Sequence, residues 1–325
     1  MRKPHAGYFS VERLFEDVRN GMSEEFDVDV YVNPYYSVGF FRRFLGLIRA
    51  AMNQGDVNHI TGDVHFLTIC MRRRRTILTI LDCVTLERLV GWRYRLVRYF
   101  WYVLPINRSS VVTVISHSTK HELEKHLGRD NLPIVVIPCP VSSEFERSPK
   151  EFQFDRPAVL IVGTAKNKNI ERMVAALKKL ECRLIIIGSL SERQKKLLEE
   201  TNLVYESHIG ITRERVVELY IESDIVLFAS LYEGFGLPIL EAQSIGRPVI
   251  TSNLYSMPEV GGDGACYVDP YDVQSIRSAV DRVIQSAELR EELICKGYQN
   301  VAKYQVSCVA EQYANLYRSV YSECR

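Results

Sequence analysis

Two hydrophobic periods alternate along the second half of the chain. Ala158-Val-Leu-Ile-Val162, Arg183-Leu-Ile-Ile-Ile187 and Asp224-Ile-Val-Leu-Phe-Ala229 are continuous runs of strand length, and the first two stop at Gly163 and Gly188. Between them the spacing changes. Ile170, Met173, Val174 and Leu177 stand at i, i+3, i+4 and i+7 behind Asn169, which reads as an N-cap. Residues 191–200 and 213–221 read as helices, 203–205 as a short strand and 248–251 as a further strand, with helices again from about 272. Residues 238–245 read as a helix with Pro238 in its first position and Gly246 just past its end, the favoured asymmetry. Apolar runs without alternation, separated by helices, predict a parallel sheet covered on both faces.

The first half is less regular. Phe26-Asp-Val-Asp-Val-Tyr-Val32 alternates like a half-buried strand, and 57–60 is strand-like. Residues 76–81 and 111–115 read as buried strands; the second leads into a helix capped near Ser118 and ended by Gly128. Residues 135–137 read as a last strand before Pro138 and Pro140, and 142–157, with Pro149, Pro157 and mixed charges, as a linker. A length of 325 residues suits the two α/β domains this implies. No apolar run reaches the ~18 residues of a membrane-spanning helix. The opening Met-Arg-Lys-Pro-His-Ala-Gly has no apolar core and does not read as a secretory signal. The eight cysteines form no Cys-x-x-Cys pair, which fits thiols kept reduced in a cytoplasm.

Net charge is +1, but it is unevenly spread: residues 1–150 hold 21 basic and 16 acidic side chains, and residues 151–325 hold 20 and 24. The excess is sharpest over 40–108, where twelve basic residues face four acidic ones. Arg72 to Arg75 are consecutive, and Arg88, Arg93, Arg95, Arg98 and Arg108 interleave with Trp92, Tyr94, Tyr99, Phe100, Trp101 and Tyr102. The region 72–108 suits peripheral contact with an anionic membrane surface or a polyanionic acceptor; the plainer reading is a solvated helix face with its aromatics in the core. No nucleic-acid-binding module is present, so nucleic acid is not expected as a partner.

The chemistry concentrates at two strand exits. In Tyr232-Glu-Gly-Phe-Gly-Leu-Pro-Ile-Leu-Glu241 a strand gives way to a glycine-containing turn and then a helix. Gly234 and Gly236 allow close backbone approach, and a helix start presents N–H groups and a positive dipole end to phosphate. Glu233 lies in the turn, and Glu241 lies about one helical turn inside. In Gly163-Thr-Ala-Lys-Asn-Lys-Asn169 the same transition places Lys168 beside a helix start, where it can neutralise a diphosphate. Ligands of open parallel sheets bind beyond the carboxyl ends of strands. The plain alternatives are an ordinary glycine turn and a solvated lysine.

These residues resemble the Glu-x7-Glu signature of retaining glycosyltransferases of the GT-B fold, family 4 or "group 1". The resemblance extends through 241–252, Ser256-Met-Pro-Glu-Val260, Val268-Asp-Pro270, Val162 to Asn169 and Ile137-Pro138, and so covers about 135–305. It implies two Rossmann-like domains with parallel sheets facing a central cleft. Residues 1–148 would bind the acceptor, 149–308 would bind a nucleotide-sugar, and a last helix, roughly 309–325, would pack back on the first domain. By position, Lys168 and Thr164 would meet the donor diphosphate. Glu233 would face the donor sugar, and Glu241 would bind the ribose hydroxyls. Gly234, Phe235, Gly236 and Leu237 would offer backbone to phosphate or sugar oxygens, while Ser207, His208 and Ile209 would edge the base. The family often has Arg after the first glycine, where this chain has Thr164, with Lys166 as a substitute. It often has His-Asp after the strand 76–81, where this chain has Leu81-Asp82; Asp82 is then the catalytic candidate, with His65 or His59 as stand-ins for the histidine. The Ile-Pro-Asn-Gly turn is Ile137-Pro-Cys-Pro140, and Gly7 comes almost without a strand before it.

The resemblance therefore implies a retaining, metal-independent hexosyltransferase with no cofactor. Its partners would be a nucleotide-diphosphate sugar, UDP- or GDP-linked, and a glycan or lipid-linked acceptor. Surface-polysaccharide assembly in the cytoplasm or at the inner face of the membrane is the expected setting. A nucleotide-sugar-binding protein with lost or weak turnover, and a GT-B epimerase, are the alternatives. Asp27-Val-Asp29 matches the metal-binding Asp-x-Asp of another glycosyltransferase fold only superficially, and no Gly-x-Gly-x-x-Gly follows a strand as a dehydrogenase needs.

Overall fold

A computed structural model describes residues 1, 10–35, 39–129 and 133–323, and for Ser10 and Phe40 the backbone alone. Gly7 lies outside the described residues. The chain divides into two compact units, Met1–Pro140 with Val306–Arg325, and Val141–Gln305. The division falls where Val141 donates its N–H to the Tyr304 carbonyl at 2.8 Å, so that the chain enters and leaves the second unit on adjacent segments.

In the first unit, β1 (Asn58–Ile60), β2 (Thr76–Ile80), β3 (Val111–Val114) and β4 (Ile134–Val136) form a parallel sheet in the order β1-β2-β3-β4. Its core joins Leu78, Ile80, Val112 and Val114 to Leu123 and Leu127 of the helix His117–Leu127. That helix is capped by Ser116, whose hydroxyl accepts from the Thr119 N–H at 3.0 Å. Ser116, not Ser118, sits in the extended conformation an N-cap needs. The closing helix Val306–Ser322 packs on the helix Ser10–Asn20 of the same unit. Between them Phe15, His59, Tyr313 and Tyr317 form one aromatic cluster.

One expected strand is absent: residues 26–32 are irregular and take part in no ladder among the described residues. Val28, Val30 and Val32 are 41%, 45% and 43% exposed. Alternation buries a face only when a neighbouring surface covers it; on this face Phe26 alone packs, on Tyr317, among the described residues. Asp27 and Asp29 are exposed on the same stretch.

The second unit holds β5 (Ala158–Val162), β6 (Arg183–Ile187), β7 (Val204–His208), β8 (Ile225–Phe228), β9 (Val249–Ser252) and β10 (Ala265–Val268). They lie parallel in the order β10-β9-β8-β5-β6-β7. Val159, Leu160 and Ile161 are all buried, so both faces of β5 are covered, as its unbroken apolar run requires. Ile170, Val174 and Leu177 pack on one face together with Ile276 and Val280. β7 runs three residues beyond the expected 203–205.

At the far end from the strand exits, the buried Asp224 organises the start of β5. Its Oδ2 accepts from the Ala158 N–H at 2.7 Å, its Oδ1 accepts from the Gln153 N–H at 3.2 Å, and Lys150 Nζ lies 2.8 Å from it. Replacing Asp224 with alanine leaves those N–H groups without their acceptor. Orphaned buried donors cost about 1–3 kcal/mol. Denaturant unfolding is expected to show that loss.

Candidate functional site

β5 and β8 are neighbours through Val159↔Ile225 and Leu160↔Val226, yet the chain leaves them in opposite directions. After β5 it crosses to β6; after β8 it crosses to β9. This is the point where strand order reverses and a crevice opens beyond the carboxyl ends. The two turns singled out by sequence meet there. Lys168 Nζ donates to Glu233 Oε1 at 2.7 Å, with 21% and 14% of the two side chains exposed. Leu231 N–H donates to the Asn167 carbonyl at 2.7 Å, and Asn167 Nδ2 donates to the Tyr232 carbonyl at 3.0 Å. Ser256 Oγ donates towards the carbonyls of Glu233 at 3.0 Å and Phe235 at 2.7 Å, fixing the Glu233 loop from its other side.

Two glycines set the backbone of these turns. Gly163 has φ +89°, and an added Cβ would lie 2.9 Å from Lys168 Cε, so the lysine stem can fold back against the main chain only over glycine. Gly236, at φ +113°, opens the helix Leu237–Ile245 and brings no side chain to its first turn. The first N–H groups of a helix have no partner within it, and they face a positive dipole end. The Lys168 ammonium also lies 4.8 Å from the centre of the Phe228 ring.

Asn169 occupies the cap position of the helix Ile170–Leu177, but its side chain makes no cap bond. At φ +60°, a conformation Asn tolerates, it instead donates to the carbonyls of Ala229 at 3.0 Å and Pro270 at 2.7 Å. It thereby ties the β5 exit to the β8 exit. The expected N-cap is thus a cross-strand tether: its Nδ2 is committed to the two carbonyls, and its Oδ1 accepts from Arg172 Nη1 at 3.0 Å rather than from a helix N–H.

Glu241, on the helix behind the turn, accepts from the Tyr220 hydroxyl at 2.5 Å. Tyr220 is fully buried, and burial, followed by the neighbouring Glu241 charge, pushes its phenol well above the usual range. The phenol therefore stays a donor and orients the carboxylate. Thr164 Oγ1 donates to the Ser189 carbonyl at 2.7 Å, across the exit of β6. Ser207, His208 and Ile209 lie at the end of β7, two strands from β5 and so about 10 Å across the sheet. His208 Nε2 lies 3.2 Å from Glu206 Oε2, and Ile209 is 64% exposed. Phe235 turns inward onto Tyr304, and Gly234 to Leu237 follow one another through the turn into the helix. Lys166 is exposed on the same turn as Lys168.

Asp82 lies in the first unit, just past β2, where its Oδ1 accepts from the Val84 N–H at 3.0 Å. The two histidines of that unit differ. His59 is held on both ring nitrogens, by Tyr317 at 2.7 Å and Thr79 at 2.6 Å, inside the aromatic cluster. Its surroundings lower its pKa to about 3, so it is a neutral packing residue. His65 is buried with Nδ1 2.9 Å from the Trp101 carbonyl, which places the ring proton there. Burial lowers its pKa, opposed by the charges of Asp63 and Asp82. His65, not His59, is the histidine that feels Asp82. Asn167, Asn169, Tyr220 and Ser256 were not legible as site residues. Asn167 and Ser256 lie in motif segments without a side-chain signal of their own, and Tyr220 lies in 213–221, which reads only as helix.

Residues 142–300 match the family described as "Glycosyl transferases group 1", and residues 14–145 match "Glycosyltransferase Family 4". A glycosyltransferase from Rickettsia africae superposes with a TM-score of 0.75 at 17% identity, over 98% of this chain and 97% of that one. The chain is a GT-B glycosyltransferase by family. The Anabaena protein HepE, solved in complex with UDP and glucose, has the same fold, with a TM-score of 0.74 at 14% identity over 98% of both chains. In sequence, this GT-B chain is 38% identical over 100 residues to the O-antigen chain mannosyltransferase B of Escherichia coli, which is 31% of this chain and 26% of that protein. The chain spans about a quarter of the length of the first curated relatives it matches.

Proposed function

We propose that the chain transfers a hexose from a nucleotide-diphosphate donor, UDP- or GDP-linked, to a glycan or lipid-linked acceptor, with retention at the anomeric carbon. The observation that carries this reading is the Lys168–Glu233 contact of 2.7 Å at the strand-order reversal, beside the helix start at Leu237. As the anomeric C–O bond breaks, the nucleoside diphosphate gains negative charge and the sugar becomes oxocarbenium-like. In this reading Lys168 and the helix N–H groups stabilise the first and Glu233 the second, and no metal ion is called on. In the front-face attack usual for retaining members, the acceptor hydroxyl approaches on the side the leaving group departs from. Glu241, oriented by Tyr220, is assigned to the ribose hydroxyls, Thr164 to the diphosphate, and Ser207 to Ile209 to the base. The first unit is assigned to the acceptor, with Asp82 and its neighbour His65 on that side.

The O-antigen mannosyltransferase relative and the neighbour bound to UDP and glucose support a nucleotide-sugar donor and a surface-polysaccharide setting. Among the described residues no helix is long and apolar enough to cross a membrane. For contact with an anionic bilayer we favour the exposed Trp92, Tyr99 and Phe100 with Arg88, Arg93 and Arg95. Arg98 and Arg108 do not contribute, because they bond to the carbonyls of His126, Leu127 and Ile69.

A thermal-shift panel of UDP-, GDP- and ADP-sugars tests the donor class. One base is expected to raise the melting temperature and to be released as nucleoside diphosphate when acceptor is added. Binding without release would favour the turnover-deficient reading. Glu241→Ala is expected to weaken the donor by about 5–30-fold, the scale of one lost hydrogen bond of ~1–2 kcal/mol. Unchanged calorimetric affinity would remove the ribose assignment.

A further inference from the structure

Outside the donor crevice, one group of side chains in the first unit is left electrostatically incomplete. Glu122 and His126 stand at i, i+4 on the helix His117–Leu127, and so share one of its faces. Glu87 closes the short helix Val84–Glu87, which follows β2. Each of the three offers one ligand atom, and these atoms lie within 4.8 Å of one another. Glu122 is only 7% exposed, and its Oε2 is buried without a hydrogen-bond partner. His126 Nε2 is likewise buried without a partner.

The Tyr94 hydroxyl lies 3.3 Å from both the His126 carbonyl and Nδ1. When it donates to the carbonyl it meets Nδ1 as an acceptor, the arrangement in which Nδ1 carries the ring proton and Nε2 presents a bare lone pair. The nearby cations are Lys125, with Nζ 3.7 Å from Glu122 Oε1, and Arg98, whose guanidinium is occupied by the His126 and Leu127 carbonyls. Neither satisfies Glu122 Oε2 or His126 Nε2.

We propose that Glu87, Glu122 and His126 bind a divalent transition-metal ion of the zinc class. Two carboxylate oxygens and one imidazole nitrogen, with an outer hydroxyl holding the imidazole tautomer, form a donor set that suits such an ion. Zinc takes these donors at about 2.0–2.2 Å, so a small inward rotation of the side chains closes the site and leaves a further position for water. The ion supplies the missing partner of both orphaned atoms at once. Its consequence is local: it pins the segment after β2, which follows Asp82, onto the helix. The proposal is independent of the donor chemistry assigned to the second unit.

Equilibrium dialysis of the whole chain against buffered zinc chloride tests it, with magnesium chloride as the comparison. The parent is expected to hold one more equivalent of zinc than either Glu87→Gln or His126→Gln, and magnesium should show no such difference. Zinc should raise the melting temperature of the parent but not of the variants. The exposed Cys70, Cys295 and Cys308 bind equally in all three proteins and cancel in the difference. Glu87 is exposed, so its glutamine variant is not expected to impair folding. Equal zinc counts in parent and variants would overturn the site. So would a melting temperature raised alike by zinc in all three, since the two glutamates would then simply share a proton.

Discussion

Replacing Glu233 with glutamine is expected to lower sugar transfer by about 100–1,000-fold, the scale of one preorganised electrostatic group lost at a reacting centre. Nucleoside-diphosphate binding should be unchanged or tighter. The Glu233 carboxylate holds the Lys168 ammonium at 2.7 Å. A diphosphate arriving there must compete for that ammonium and approach a like charge. Glutamine keeps the shape of the side chain and can still meet Asn167 and the ammonium through its amide oxygen, but it removes the charge. The split between turnover and binding is the diagnostic feature. If Glu233 were only a structural partner of Lys168, melting temperature and diphosphate affinity would fall together. Single-turnover kinetics and calorimetry on the same variant separate the cases.

Lys168→Ala is expected to act on the other side of the reaction. Losing a charge-assisted hydrogen bond costs about 1.5–3 kcal/mol, or roughly 10–150-fold in affinity for the nucleoside diphosphate. The free nucleoside should bind as it does to the parent if the lysine meets the phosphates, as proposed. The parent should in turn bind nucleoside diphosphate well above nucleoside. A lysine with no ligand role would leave that ratio untouched. Its removal would show only in stability, through the vacated Phe228 ring face and the unpaired Glu233.

The second unit was largely legible because its strands are covered on both faces and need no alternation to be recognised. Val159 to Ile161, Leu184 to Ile186 and Ile225 to Phe228 are apolar throughout and buried throughout. The glycines that end β5 and open the helix Leu237–Ile245 mark its ligand-facing end. Residues 26–32 show the opposite case, since a period of two says which residues share a face but not whether anything packs on it. The site followed the same division. Glu233 and Lys168 stood out because a charged residue at a strand exit is conspicuous, and Glu241 through its spacing from Glu233. Asn169, Tyr220 and Ser256 did not, since their roles arise from bonds to segments as far away as Pro270, Glu241 and Phe235. Such partners depend on strand order, and strand order is not written in local spacing. Residues 142–157 lack any period, yet Lys150 and Gln153 bond to Asp224 within the second unit.

The most direct test of the donor crevice is a crystal structure with the nucleotide-sugar that gives the largest thermal shift. The pyrophosphate is expected against Lys168 and the start of the helix Leu237–Ile245, with the hexose beside Glu233 and the ribose at Glu241. A donor bound elsewhere on the chain, or a crevice left vacant at saturating donor while the Lys168–Glu233 pair stays closed, would contradict the account.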